Sequence, residues 1–262
     1  MLTVRTWALA LVMVGCQADT FTTSDAATGD ASDAGDANVG DAATDVQGEA
    51  GCSGPFFCST VSGADFCDDF DGVSVISTNW NAPPVLTGGF SLGFGYDQFT
   101  SCPHSVEITV PGSSSAGSAW LLKDIALLTN GEVIVDIDIR LPSNPTGHDF
   151  SLVEVRSGQS GTPPSSGLIY TTTSGWQASA GSFSASLTMP NTPWVHCTLD
   201  VTFSSTSGIK TTMTIQGESS VAVADATPLS LGAFATVAVG IETTTIAPTG
   251  SMYYDNVVVR VK

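Results

Sequence analysis

Six residues of this 262-residue chain have types and spacing suited to holding a polyhydroxylated ligand: Asp136, Asp138, Arg140, Glu154, Arg156 and Trp176. Carboxylate and guanidinium groups engage neighbouring hydroxyls in pairs, and an indole offers a flat apolar platform for a sugar ring. Asp136, Asp138 and Arg140 recur at every second position, as do Glu154 and Arg156, so an extended strand turns each set to one side. These two sets are expected on adjacent strands, with Trp176 nearby in the polar run Thr-Ser-Gly-Trp-Gln-Ala-Ser. Plain solvation of a strand face is the competing explanation for the charges. Asp136 and Asp138 stand about 6–7 Å apart at two residues' rise.

The cysteines offer a second chemistry. Apart from Cys16 there are five, Cys52, Cys58, Cys67, Cys102 and Cys197, so two bridges at most can form and one thiol remains. Cys52–Cys58 with Cys67–Cys102 is the expected arrangement, leaving Cys197 buried in a strand, although spacing alone does not fix the pairing. Zinc is disfavoured, because no CxxC pair is present and neither His104 nor His196 has a second ligand close in sequence. Neither a Gly-x-Ser-x-Gly elbow nor a phosphate-cradling glycine loop occurs.

Strands must position these groups. Ten stretches rich in β-branched and aromatic residues read as β: Val106–Val110, 119–122, 132–141, 150–156, 167–172, 182–188, 194–203, 209–216, 237–242 and 252–261. Pro-Gly, Ser-Gly, Asn-Pro, Gln-Gly and Thr-Gly breaks separate them. Val133, Val135, Ile137 and Ile139 share one face of their strand. Val195, Cys197, Leu199, Val201 and Phe203 do the same further on. Such alternation calls for two sheets closing over one core. Lys123–Leu128 and Pro228–Ala233 are the only stretches expected to form a helical turn. Trp80, Trp120 and Trp194 are expected in the core.

The N-terminal quarter is different in kind. Arg5 precedes an apolar run, Trp7 to Val14, too short to span a bilayer, and Gly15 stands directly before Cys16. Residues 1–16 resemble a bacterial lipoprotein signal ending at a cysteine to be lipidated, with Met13 atypical at the start of the lipobox. An ordinary secretory signal is the alternative. Residues 17–50 contain seven Asp, one Glu and no Lys or Arg. With so little to bury they are expected to stay disordered as a tether. Gln17 resembles the sorting state of outer-membrane lipoproteins, which places the chain at the cell envelope and its partner membrane at the lipid anchor. Residues 51–63 form a cysteine-containing lead-in, and 64–262 are long enough for one large β domain. That part carries 17 acidic residues against six basic ones, a balance that repels phosphate backbones and excludes nucleic acid as a partner.

Asp65-Phe66-Cys67-Asp68-Asp69-Phe70-Asp71-Gly72, followed by Trp80, resembles the opening strand of concanavalin A-like jelly rolls. Family-16 glycoside hydrolases begin similarly. Met252-Tyr253-Tyr254-Asp255-Asn256-Val257-Val258-Val259-Arg260-Val261 resembles the closing strand, which in that superfamily pairs with the first. The resemblance implies an all-β, two-sheet antiparallel jelly-roll β-sandwich. It also implies a structural calcium at Asp255, with main-chain oxygens of the opening strand and the crowded Asp68, Asp69 and Asp71; Asp69 is the expected second ligand. In the hydrolases that this chain resembles, both catalytic carboxylates come from one strand, as Glu-x-Asp-x-x-Glu or close to it. Here the stretch from Ser157 to Leu199 has neither Asp nor Glu, and retaining hydrolysis needs such a pair. A non-catalytic domain binding glycan or an envelope partner is therefore expected. A divergent polysaccharide hydrolase or lyase and a purely structural surface protein are the alternatives.

Overall fold

A computed structural model describes residues 55–81, 83–111, 116–126, 130–141, 148–157, 165–243 and 250–262. Cys16, the 17–50 tether and Cys52 lie outside the described residues.

The described chain is a two-sheet antiparallel jelly-roll sandwich. One sheet contains β1 (Phe66–Asp68), β3 (Ser91–Gly95), β4 (Ser105–Val110), β6 (Glu132–Arg140), β11 (Trp194–Ser204), β12 (Gly208–Ile215), β13 (Val221–Asp225) and β15 (Gly250–Val261). The other contains β2 (Val85–Leu86), β5 (Gly117–Ala126), β7 (Phe150–Ser157), β8 (Ser165–Thr171), β9 (Gly175–Ala180), β10 (Phe183–Ser186) and β14 (Phe234–Thr243). The first sheet runs β13-β12-β11-β6-β15-β4-β3, the second β10-β9-β8-β7-β14-β5-β2. The closing strand β15 is shared along one edge. Its first half pairs with β4, while Val257, Val258 and Val259 pair with Asp68, Cys67 and Phe66 of β1. First and last strands thus meet, as the resemblance implies.

Alternation fills the core. Val133, Val135, Ile137 and Ile139 of β6 and Val195, Cys197, Leu199, Val201 and Phe203 of β11 are all buried. They face Val153, Val155, Leu168, Val237 and Val239 of the second sheet, in one continuous apolar cluster. Polar contacts also cross this interior. Tyr254 Oη donates to Gly240 O at 2.5 Å, and Thr211 Oγ1 lies 2.6 Å from Ser166 Oγ and 2.8 Å from Ser179 O. Gly240 sits where the pairing of β14 with β7 slips, between Val239 and Glu242. Its φ is +151°, and a Cβ there would come 1.9 Å from Ala119 O, so only glycine fits this bulge.

The aspartate- and phenylalanine-rich opening motif plugs the sandwich. Phe66, Phe70 and Trp80 are buried together, with Phe66 edge-on to the Trp80 ring at 5.1 Å. Trp80 Nε1 donates to Asp68 Oδ2 at 2.7 Å, and burial pushes the Asp68 carboxyl above its ordinary range.

Several expectations are corrected. Cys58 pairs with Cys67, and Cys102 is also disulfide-bonded, so neither Cys52–Cys58 nor Cys67–Cys102 forms. The short helix α1 (Phe57–Thr60) precedes β1 and holds Cys58 5.7 Å, Cα to Cα, from Cys67. Cys197 is free and buried, as expected, and burial pushes its thiol up to about 12. Lys123–Ala126 continues β5 rather than turning helical, because it pairs with Phe234–Val237 of β14. Pro228–Ala233 is irregular. Trp120 is buried but stands outside the core cluster, and Trp194 is half-buried opposite Arg140. Both occupy the outward register of their strands.

Candidate functional site

The second sheet divides the six sequence-identified residues. Asp136, Asp138 and Arg140 lie on β6, but Glu154 and Arg156 lie on β7, in the other sheet. The two sets are not on adjacent strands, as expected from sequence, but on opposite layers of the sandwich.

The two aspartates of β6 are committed to their neighbours. Asp136 accepts from Thr198 Oγ1 at 2.6 Å and from Arg260 Nη1. Asp138 lies 2.7 Å from His196 Nδ1 and accepts from Asn256 Nδ2 and Thr100 Oγ1 at 2.8 and 2.9 Å. Burial opposes the charge on Asp138, but these hydrogen bonds outweigh it and hold the carboxyl below its ordinary range. The same hydrogen bond raises His196. These contacts form one polar network on the outer face of the first sheet.

Glu154 and Arg156 form a second closed cluster. Arg156 Nε donates to Glu154 Oε2 at 2.8 Å, its Nη2 lies 3.5 Å from Glu242 Oε2, and its guanidinium rests 5.1 Å from the centre of the Trp120 ring. Trp120 Nε1 donates to Glu242 Oε2 at 3.3 Å.

Arg140 and Trp176 do come together. They line a pocket of about 770 Å³ with Asn191, Thr192, Ser251 and Tyr253. Its size falls within the roughly 300–1,000 Å³ typical of small-ligand sites. Arg140 is the last residue of β6, Trp176 is the second of β9, and the segment from Met189 to Pro193, between β10 and β11, supplies one wall. Trp176 is braced edge-on by Phe150 at 5.7 Å and Tyr170 at 5.0 Å. Tyr253 is held on three sides. Its hydroxyl donates to Glu107 Oε1 at 3.2 Å, the Arg140 guanidinium lies 5.9 Å from its ring centre, and a Cβ on Gly95 would come 2.8 Å from its Cδ1. Gly95 therefore lets the ring lie flat on the β3 backbone. Two fixed aromatic walls, a guanidinium and several hydroxyl and amide groups make a surface suited to a polyhydroxylated ligand.

Tyr253 and the 189–193 wall went unread in the sequence. Tyr253 carried a signal, since it alternates with Met252 and Tyr254, both buried, and so must point outward. Nothing local ties Met-Pro-Asn-Thr-Pro to Arg140, because that proximity depends on the tertiary path.

The calcium expectation meets the wrong chemistry at Asp255. This carboxylate is fully buried and accepts from Thr100 N, Ser101 N, Thr100 Oγ1, Ser101 Oγ and Asn256 N, at 2.7 to 3.0 Å. Three N–H donors and two hydroxyls crowd its roughly four lone-pair directions, the single Thr100 hydroxyl hydrogen being shared with Asp138, where a cation needs converging oxygen acceptors. Asp69 faces elsewhere, accepting from Cys58 N at 2.7 Å and Asp71 N at 3.4 Å. These residues do not fit calcium. Among the described residues no group of three or more His, Cys, Asp or Glu side chains is placed to hold a metal ion.

No protein-family model and no curated protein sequence matches the chain. Solved structures do share its fold. An endo-β-1,4-glucuronan lyase from the fungus Trichoderma reesei superposes with a TM-score of 0.55 at 11% identity, covering 75% of this chain and 95% of that one. The cellulose induced protein Cip1 superposes with a TM-score of 0.51 at 13% identity, covering 74% and 96%.

Proposed function

We propose that this jelly roll is a carbohydrate-binding domain, and that the saccharide sits in the pocket between Trp176, Tyr253 and Arg140. The observation that carries this reading is the convergence of these three side chains from different strands of two sheets, each braced by neighbours, on one space of ligand size. Rigid aromatic platforms lower the ordering cost of binding. The glucuronan lyase shares only the fold, and fold does not transmit activity.

Catalysis on the other sheet is the second reading, favoured by the approach of Glu154 and Glu242 to one guanidinium. Retaining hydrolysis needs one carboxyl as acid and another as nucleophile, about 5–5.5 Å apart. Here Arg156 bridges both glutamates and Trp120 donates to Glu242, an arrangement suited to holding a sheet face together. A purely structural surface protein is what remains if neither reading holds.

The tether and Cys16 extend the proposal to location: a lipid-anchored protein of the cell envelope, displaying its domain to glycan or to an envelope protein. Three acyl chains, at about 0.8 kcal/mol per buried CH₂, would hold it nearly irreversibly. Labelled palmitate should enter the wild-type chain and not Cys16→Ser; equal labelling overturns the anchor. For the domain, a glycan array probed with the purified protein should show binding that Trp176→Ala abolishes. Release of reducing ends from polysaccharide, lost in Glu242→Gln, would instead support the enzyme.

A further inference from the structure

Among the described residues Arg140, Lys123 and Lys210 are the cations that form no ion pair with a carboxylate, and Arg140 is the one of them that lines the pocket. Arg156 pairs with Glu154, Arg260 with Asp136 and Lys262 with Glu132, while Lys123 Nζ donates to Asn79 O and lies over the Phe66 ring. With 25 acidic residues to seven basic ones, carboxylates are abundant. Yet among the described residues no carboxylate forms an ion pair with Arg140. Its guanidinium lies against the face of Tyr253 instead, lining the pocket.

We propose that this pocket selects an anionic saccharide, with the carboxylate or sulfate of the sugar received by the Arg140 guanidinium while its ring stacks on Trp176. The proposal rests on the carbohydrate-binding reading of the same pocket and adds the charge of the ligand. A guanidinium presents two parallel N–H donors that match a planar carboxylate or a sulfate, and such charge-assisted bonds are stronger than neutral ones. Contact with an aromatic face fixes the orientation of the guanidinium. Two acidic groups bear on Tyr253: Glu107, engaged by its hydroxyl at the far end of the ring from the backbone, and Asp97, which acts on it through its charge. The other polar lining residues, Asn191, Thr192 and Ser251, are uncharged and suited to sugar hydroxyls, and the rest of the lining is apolar. The excess negative charge of the protein repels anions at long range, which makes a local cation the decisive discriminator and makes binding depend on salt.

Calorimetric titration of the full chain tests this with three probes: an oligogalacturonate, a sulfated heparin oligosaccharide and a neutral cello-oligosaccharide. At least one anionic probe should bind, and more tightly than the neutral one. Arg140→Gln should weaken that binding roughly tenfold or more and flatten its dependence on sodium chloride. Lys210→Gln, an exposed cation away from the pocket, should change nothing, and unchanged melting temperatures verify that the variants are folded. Binding of the oligogalacturonate alone identifies a carboxylate, and of the heparin fragment alone a need for its sulfate groups, O- or N-linked; either supports the proposal. If the neutral probe binds at least as well, and Trp176→Ala abolishes binding while Arg140→Gln does not affect it, the anionic inference falls and the carbohydrate reading stands. If none of the three binds and a glycan array is also blank, the carbohydrate reading itself has failed.

Discussion

Burial and hydrogen bonding decide what each polar residue does. Tyr254 carries the only hydroxyl that reaches Gly240 O across the core among the described residues, and Tyr254→Phe would leave a buried carbonyl without its donor. The expected loss is about 1–3 kcal/mol of stability, read from the midpoint of urea unfolding. The His196–Asp138 pair sets a pH dependence with a definite sign. His196 is raised by its bond to Asp138, so its stabilisation is complete below the unfolded value of 6.5 and lost as pH rises through the higher folded value. Asp138 is lowered, so its contribution persists above 3.8 and is lost only as pH falls through its lower folded value. Burial pushes Asp255 up to about 6, and a carboxyl raised on folding favours the folded state as pH falls from there toward 3.8. As pH falls from above the raised His196 value to below about 6, the His196 and Asp255 contributions both grow, while that of Asp138 stays constant above 3.8. The melting temperature should be higher at the lower pH, and His196→Ala should shrink the difference. At Asp255 the donors leave no room for a cation, so EDTA should not change the melting temperature; a drop would restore the calcium expected from the resemblance.

Among the elements, those whose residues alternate over a long stretch were legible in the sequence, and those that exist only through their partners were not. β6 and β11 could be read residue by residue because strict alternation of Val, Ile and Leu with charges leaves one register that buries the apolar face. β2 has two residues and β13 five, and both form because β5 and β12 offer them an edge. Lys123–Leu128 reads as a stretch able to form a helical turn, but pairing of Lys123–Ala126 with β14 outweighs that local preference. The disulfide was misassigned for a similar reason: all three early cysteines lie close in sequence, and only the fold of α1 onto β1 decides between them. The Cys58–Cys67 bridge closes a loop with a sequence separation of nine. Chain-entropy arguments give it about 2–3 kcal/mol. Unfolding of the Cys58→Ala/Cys67→Ala double variant by urea should show a loss of that order, with the Cys102 bridge intact.

At the scale of the molecule, the sandwich and the outward polar faces followed from composition and period, but the site did not. Arg140 and Trp176, both singled out from the sequence, line one pocket. Asp136, Asp138, Glu154 and Arg156 looked equally suited to a ligand, yet Asp136 bonds to Thr198 and Arg260, Asp138 to His196, and Glu154 and Arg156 to each other. Sequence shows which side of a strand a residue takes. It does not show which sheet that strand joins, and the assignment of β6 and β7 to opposite layers separates what had been read as one surface. The measurement that bears most directly on this account is a crystal structure of the protein with the tightest-binding glycan from the array. The saccharide should lie between Trp176 and Tyr253, within hydrogen-bonding reach of Arg140. A saccharide lying instead over Glu154, Arg156 and Trp120 would contradict the account and place the functional face on the other sheet.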